Sequence, residues 1–390
     1  MSRNQRQTVH ASVQAPVHGG DLSRAKRAYP EQKQWLDLSA GLNPNPWPVP
    51  DIPQHCFQQL PDGYDALLSV AADYYQHEQL CPLNGSQQGI ELLPVLYQIY
   101  QQEFVANPGC LKRVAVPIEG YAEHAWCWQK AGFQVFYYRA TTPEALSAWA
   151  DSCDILVVIN PNNPTAQCFS RETLLACHQI LEDKDGWLIV DEAFVDAFDD
   201  TQRALFSVAD KASDSLLVLR SIGKFFGLAG IRSGFLLTGE CNLNLLRRLL
   251  GPWSISGVTA WLTEQMLRDT RWQTSTRMAL ADTSDYLAKL LECFLVNEGV
   301  VSRSSVIGKT PLFVSLLLPG PQPTEDASGK ISVEEIQQRL AEQGVWVRCF
   351  NHQGSPDRYF NDSGRLRFGL PKSNHERDQL TRALVGMRRR

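Results

Sequence analysis

Ile155-Leu156-Val157-Val158-Ile159-Asn160-Pro161-Asn162-Asn163-Pro164 joins a continuous apolar run to a polar turn punctuated by proline. A run this short and this uniformly apolar suits a strand buried on both faces, and the turn ends it. The pattern returns at residues 188–190, closed by Asp191-Glu192, and at residues 216–219, closed by Arg220-Ser221 with Lys224 just beyond. Between the first two runs Ser170 is placed to cap a helix that carries Leu174, Cys177 and Leu181 on one face, and Gly186 follows its end. Strand, helix and strand at that spacing form a βαβ crossover, so the strands are predicted to be parallel. Ligands of open α/β sheets bind beyond the carboxyl ends of the strands. Asn163, Asp191, Ser221 and Lys224 are therefore expected to face one pocket.

Outward from this centre, residues 40–53 hold so many prolines that neither a helix nor a central strand fits, and an extended connector between lobes is expected. Helical patterns at 64–77 and 90–104 alternate with short β-branched runs, the signature of an α/β domain. The connector sets a first domain boundary.

The chain has 390 residues, 44% hydrophobic and 20% charged, enough apolar material for two cores. Its net charge of −5 lacks the basic footprint of a nucleic-acid binder. No stretch is long and apolar enough to span a bilayer, and residues 1–14 show no apolar leader, so no membrane partner and a cytoplasmic location are expected. The ten cysteines are scattered without zinc spacing, so free thiols and no metal are expected.

A lysine, a carboxylate, an amide and an anion cradle at neighbouring strand ends are what a pyridoxal 5′-phosphate (PLP) site requires. Lys224 supplies the amine for a Schiff base. Asp191 is placed to hold the pyridinium, and each pKa unit by which it raises the ring nitrogen is worth about 1.4 kcal/mol. Asn163 is placed to donate to the ring hydroxyl oxygen. Asn84-Gly85-Ser86-Gln87-Gln88-Gly89, directly ahead of the helical pattern at 90–104, offers backbone N–H groups to a phosphate. Ser221 and Arg232 add a hydroxyl and a guanidinium. Tyr121, after Pro117-Ile118-Glu119-Gly120, is placed to stack on the pyridine face. The catalytic set is thus Lys224, Asp191 and Tyr121, and the cofactor set adds Gly85, Ser86, Gln87, Asn163, Ser221 and Arg232. Taken singly, each has an ordinary reading: a surface lysine, a Gly-Ser turn, a core aromatic. Their order along the strand ends selects the site.

Asn160-Pro161-Asn162-Asn163-Pro164-Thr165, then Asp191-Glu192-Ala193-Phe194, then Leu219-Arg220-Ser221-Ile222-Gly223-Lys224-Phe225-Phe226-Gly227 resemble the fold-type I aminotransferase superfamily, and the resemblance runs over almost the whole chain. His18-Gly19-Gly20, the stretch 35–44, Gly251-Pro252-Trp253-Ser254 and Leu366-Arg367-Phe368-Gly369-Leu370-Pro371 are similar to its threonine-phosphate decarboxylase branch of cobalamin biosynthesis, related to histidinol-phosphate aminotransferases. The resemblance implies a fold-type I PLP-dependent transferase with a mostly parallel, seven-stranded-type sheet in a large domain over 47–250 and a smaller α+β domain over 251–390 that the N-terminal segment 1–46 joins, assembled as a homodimer. It implies decarboxylation of L-threonine O-3-phosphate to (R)-1-aminopropan-2-yl phosphate, the alternative being a class I/II aminotransferase acting on a phosphorylated amino acid or amine. It also implies Arg367 for the substrate carboxylate, Arg348 for its phosphate, and His18, Gly19 and Asn43 near the substrate. A PLP-binding regulator with a DNA-binding module is disfavoured, because only about 17 residues precede His18. The chain departs from the superfamily pattern at Ala166, where glycine is usual, at Phe194, where tyrosine is usual, and at Leu60-Pro61-Asp62, which lacks a tyrosine that Tyr64 is the candidate to replace.

Overall fold

The computed structural model describes residues 22–61, 63–105, 112–318, 331–351 and 364–387; the expectations for His18, Gly19 and Gly20 lie outside these. Among the described residues, twelve strands form two sheets. The larger takes β2 (Leu80–Leu83), β3 (Arg113–Pro117), β4 (Gln134–Tyr138), β5 (Ile155–Ile159), β6 (Trp187–Asp191), β7 (Leu216–Ser221) and β8 (Gly234–Leu237) in the order β2-β8-β7-β6-β5-β3-β4. The smaller takes β1 (Leu36–Leu38), β9 (Val306–Thr310), β10 (Phe313–Leu318), β11 (Val345–Asn351) and β12 (Gly364–Gly369) in the order β1-β11-β12-β10-β9.

The crossover read from the sequence is present. β5, β6 and β7 are parallel, and every residue of the three is buried. Ser170 caps the helix Arg171–Glu182 by accepting from the Thr173 N–H, while Leu174, Cys177 and Leu181 pack inward. Gly186 is needed at the return, because a Cβ there would lie 2.6 Å from the Asp154 carbonyl oxygen.

Two cores exist, as the composition suggests, but they divide by sheet face and not by lobe. Leu156, Val158, Leu188, Val190, Leu216 and Val218 belong to one cluster, which runs on into Phe313, Leu316 and Phe368 of the small sheet. Ile155, Val157, Ile189, Leu217 and Leu219 belong to the other. Successive side chains of a strand point to opposite faces, so one apolar run feeds both layers.

Register brings the polar strand ends together. Ile159 pairs with Asp191, and Asp191 with Leu219. The antiparallel β8 then brings Gly234 opposite both Ser221 and Leu83. The turn after β2 therefore lies beside the turn after β7. Contact there is so close that a Cβ at Gly234 would sit 2.6 Å from the Arg220 carbonyl oxygen and 2.7 Å from the Ser86 nitrogen.

The connector at 40–53 holds neither helix nor strand, as expected. β1, just ahead of it, pairs parallel with β11, so this N-terminal segment joins the small sheet. The expected boundary at 250 lies just before the helix Gly257–Arg268, which packs against Asp65–Tyr75 and His55–Gln58. Ala166 has φ +64°, a left-handed conformation that costs an L-residue about 1 kcal/mol. Ala166→Gly is expected to raise stability by up to about that amount, less the extra chain entropy of glycine. Urea unfolding checks this: the midpoint rises with an unchanged slope.

Candidate active site

Beyond the carboxyl ends of β5, β6 and β7 lies a cavity of about 170 Å³, lined among others by Gly85, Ser86, Gln87, Tyr121, Asn163, Asp191, Ser221, Lys224 and Arg232. Each side chain is placed by the end of a regular element. Asp191 is the last residue of β6, Ser221 the last of β7, and Lys224 rides on the single helical turn Ile222–Phe225 that follows.

Lys224 has its pKa lowered to about 8, chiefly by burial and then by the Arg367 and Arg232 cations, against the opposing pull of Asp191. Its Nζ lies 5.7 Å from the centre of the Phe194 ring. An amine held this low is largely a neutral nucleophile at mildly alkaline pH. Its capture of an added aldehyde is therefore expected to rise with pH and level off above about 8, well short of the ordinary lysine value of 10.5. Rates of lysine–aldehyde adduct formation across the pH range check this.

Asp191 is held from two sides. Its Oδ1 accepts from the Ala193 N–H at 3.0 Å, and its Oδ2 lies 2.9 Å from Nε2 of His124. The carboxylate is an acceptor, so His124 presents Nε2–H to it. His124 is itself buried, and its Nδ1 has no partner among the described residues. The sequence reading missed His124, since a lone histidine in Glu123-His124-Ala125-Trp126 carries no mark of function. The available signal was its place three residues after Tyr121, one helical turn on; the two rings meet edge to face at 6.4 Å.

Asn163 and Arg367, 204 positions apart, form one unit. Arg367 Nη1 donates to Asn163 Oδ1 at 2.6 Å, and Nη2 donates to the Ser39 carbonyl. Because a guanidinium only donates, Asn163 must give it the oxygen, which leaves the amide N–H group for the cavity. Arg367 is buried between Phe313 and Phe350, 5.8 and 5.7 Å from their ring centres, and its pKa is lowered to about 10 by burial and by Arg348. Two residues earlier, Arg365 donates to both carboxylate oxygens of Glu119, tying β12 to the loop that carries Tyr121.

The expected anion cradle lies where the helix Ser86–Phe104 begins, four residues before the expected pattern at 90–104. Gly85 enters it at φ +77°, and a Cβ there would lie 2.8 Å from an Arg232 nitrogen. First-turn N–H groups have no acceptor within their own helix. Arg232 lines the same cavity, with its guanidinium beside Gly85. Tyr121 donates to Gln87 Oε1 at 3.0 Å, and burial pushes its phenol up to about 12.

Other expected residues lie elsewhere. Arg348 pairs with Arg367 across β11 and β12 and lies 5.2 Å over the Phe350 ring, outside the cavity lining. Asn43 is buried with its side chain on backbone groups of Phe225 and Asn45. Tyr64, the candidate to replace a missing tyrosine, spends its hydroxyl within its own chain: it donates to the Ile255 carbonyl at 2.7 Å and accepts from the Ile255 N–H at 3.1 Å.

Residues 57–385 match the family described as aminotransferase class I and II. The chain is 35% identical to a threonine-phosphate decarboxylase of Pseudomonas aeruginosa over 372 residues, 95% of this chain and 98% of that protein. It is 34% identical to a protein of the same name from Sinorhizobium sp, covering 86% of this chain and 90% of the other. The crystal structure of histidinol-phosphate aminotransferase from Sinorhizobium meliloti in complex with pyridoxal-5′-phosphate superimposes with a TM-score of 0.72 at 16% identity, covering 96% and 95% of the two chains.

Proposed function

The chain belongs to the aminotransferase class I and II family, and we propose that within it this protein is a PLP-dependent carboxy-lyase that converts L-threonine O-3-phosphate to (R)-1-aminopropan-2-yl phosphate. The observation that carries the cofactor is the meeting of a low-pKa lysine, a doubly anchored aspartate and an anion cradle in one cavity. The choice of reaction follows the two decarboxylases that resemble the chain over most of its length.

The residues fit that cofactor. The space beside Gly85, too tight for a Cβ, together with the N–H groups of Ser86 and Gln87, the Ser221 hydroxyl and Arg232, suits a phosphate dianion. Lys224 is the amine that would hold the aldehyde carbon, and Asp191 the carboxylate that would keep a pyridine nitrogen protonated. Asn163, with its oxygen fixed by Arg367, offers N–H to the ring hydroxyl oxygen. When bound, PLP supplies a cationic ring that draws off the electron pair of a breaking Cα bond.

The protein's own work is orientation and proton transfer. Arg367, beside Asn163, is the guanidinium that would receive the substrate carboxylate and so help fix which Cα bond is cleaved. Loss of carbon dioxide leaves Cα in need of one proton, and Lys224, poised near pH 8, delivers it from Nζ. A homodimer and a cytoplasmic location belong to the same proposal. Phe57, Leu60 and Trp253 are exposed apolar groups in one neighbourhood, since the helix holding Phe57 packs on the helix that starts at Gly257. The described cysteines are free thiols.

The test is incubation of PLP-loaded protein with L-threonine O-3-phosphate, following carbon dioxide and aminopropanol phosphate, beside histidinol phosphate with 2-oxoglutarate. Product from the first mixture is expected. Amino transfer in the second with no carbon dioxide in the first moves the protein to the aminotransferases, and failure to bind PLP removes the cofactor reading itself.

A further inference from the structure

Three successive carbonyl groups at the lysine turn are held by one distant segment. The turn Ile222–Phe225 is a single helical turn, too short to satisfy its own C-terminal carbonyls. The Asn43 N–H donates to the Lys224 carbonyl at 3.0 Å, and the Trp47 N–H to the Phe226 carbonyl at 2.9 Å. Between them, Asn43 Nδ2 donates to the Phe225 carbonyl at 2.9 Å. Asn43 Oδ1 accepts from the Asn45 N–H at 2.9 Å, so both ends of the amide are turned to backbone.

The segment that does this is stiff and anchored. Pro44, Pro46, Pro48 and Pro50 restrict its backbone, and Trp47 Nε1 donates to Asp269 Oδ2 at 3.0 Å. Apposition is tight: Gly227 has φ +69°, and a Cβ there would lie 2.7 Å from the Asn43 carbonyl oxygen and 2.8 Å from Pro46 Cα. Just upstream, the Ser39 carbonyl accepts from Arg367. One stretch of chain therefore holds both the lysine turn and the arginine that engages Asn163.

We propose that Asn43 is a positioning residue for Lys224, bridging the carbonyls of Lys224 and Phe225 so that the lysine side chain leaves its turn in the direction of the cavity. This rests on the reading of Lys224 as the cofactor lysine. It differs from the expectation that Asn43 meets the substrate. A lysine that must release and recapture an aldehyde carbon depends on where its turn points, and a displacement of about 1 Å costs on the order of a hundredfold in rate. Without the Asn43 amide, the buried Phe225 carbonyl loses its donor, and only the backbone N–H groups of Asn43 and Trp47 still hold the turn.

The experiment uses full-length apoprotein, wild type and Asn43→Ala, mixed with PLP. Formation of the lysine–PLP bond is followed by its visible absorbance and confirmed by borohydride trapping at Lys224. The bond is expected to form about ten- to a hundredfold more slowly in Asn43→Ala. Affinity for inorganic phosphate, measured as a competitor of PLP, is expected to be unchanged, and kcat is expected to fall more than KM rises. Equal rates of bond formation overturn the proposal, and so does a loss confined to KM, which is the signature of substrate contact. If Asn43→Ala does not fold, Asn43→Ser is read in the same way: its hydroxyl still serves the Asn45 N–H, but it cannot reach Phe225. Either overturning result leaves the cofactor reading standing, whereas a wild-type chain that forms no lysine–PLP bond removes both.

Discussion

Lys224→Ala is expected to lower the decarboxylation rate by on the order of 10⁴-fold, because the proposed function makes Lys224 both the amine that holds the cofactor and the proton donor to Cα. The fold should survive the change. With its pKa lowered from 10.5 to about 8, the ammonium form is less welcome in the folded chain than in the unfolded one. Below about pH 8 both states carry the proton, so the wild type bears that penalty in full and the variant escapes it. As pH rises from about 8 towards 10.5 the unfolded chain alone keeps the proton, and the wild type regains the difference. The variant is therefore expected to be at least as stable as wild type at neutral pH, by a margin that closes within that window. Urea unfolding on either side of it, alongside carbon dioxide release, gives both readouts. A variant within a hundredfold of wild-type activity would falsify the assignment of Lys224.

A large loss of stability is expected at Arg220, which is not among the residues lining the cavity. It is buried between two buried carboxylates, with Nη1 on Glu192 and Nη2 on Asp196 at 2.6 Å, and its guanidinium lies 4.5 Å over the Tyr75 ring. Glu192 also accepts from the Ser207 hydroxyl and the Val208 N–H, each at 2.7 Å. Arg220→Met keeps the length of the side chain and removes its charge, leaving two carboxylates facing each other without a cation. Breaking such a buried ion pair from one side costs about 3–5 kcal/mol. Burial already pushes the Glu192 carboxyl up, so without Arg220 it takes up a proton more readily still. The deficit should consequently be smaller in mild acid than at neutral pH. Adding Glu192→Gln and Asp196→Asn should recover part of it, and chemical unfolding of the two variants decides the matter. Glu192 and Arg220 immediately adjoin Asp191 and Ser221 in sequence, so the pair also braces the strand ends that shape the cavity.

What the sequence by itself determined is the central sheet and the residues at its strand ends. The apolar runs at 155–159, 188–190 and 216–219 have a local cause in side-chain periodicity, and so do the polar residues that close them. Once the crossover between β5 and β6 is read as parallel, Asn163, Asp191, Ser221 and Lys224 fall at one edge without any further information. The cradle at Gly85 was legible for the same reason, as a glycine turn running into a helix. The partners of those residues were not legible. The contact of His124 with Asp191 joins positions 67 apart, and Arg367 reaches Asn163 across 204. Asn43, read from resemblance as a substrate residue, is turned onto the backbone of Phe225, and Tyr64 onto that of Ile255. The apolar layers likewise follow the faces of the large sheet, and one of them runs on into the small sheet. Periodicity and turn chemistry act over a few residues and can be read along the chain. The acceptor that a buried polar side chain finds is decided by which distant segments pack against it, and that is settled only when the whole chain has folded.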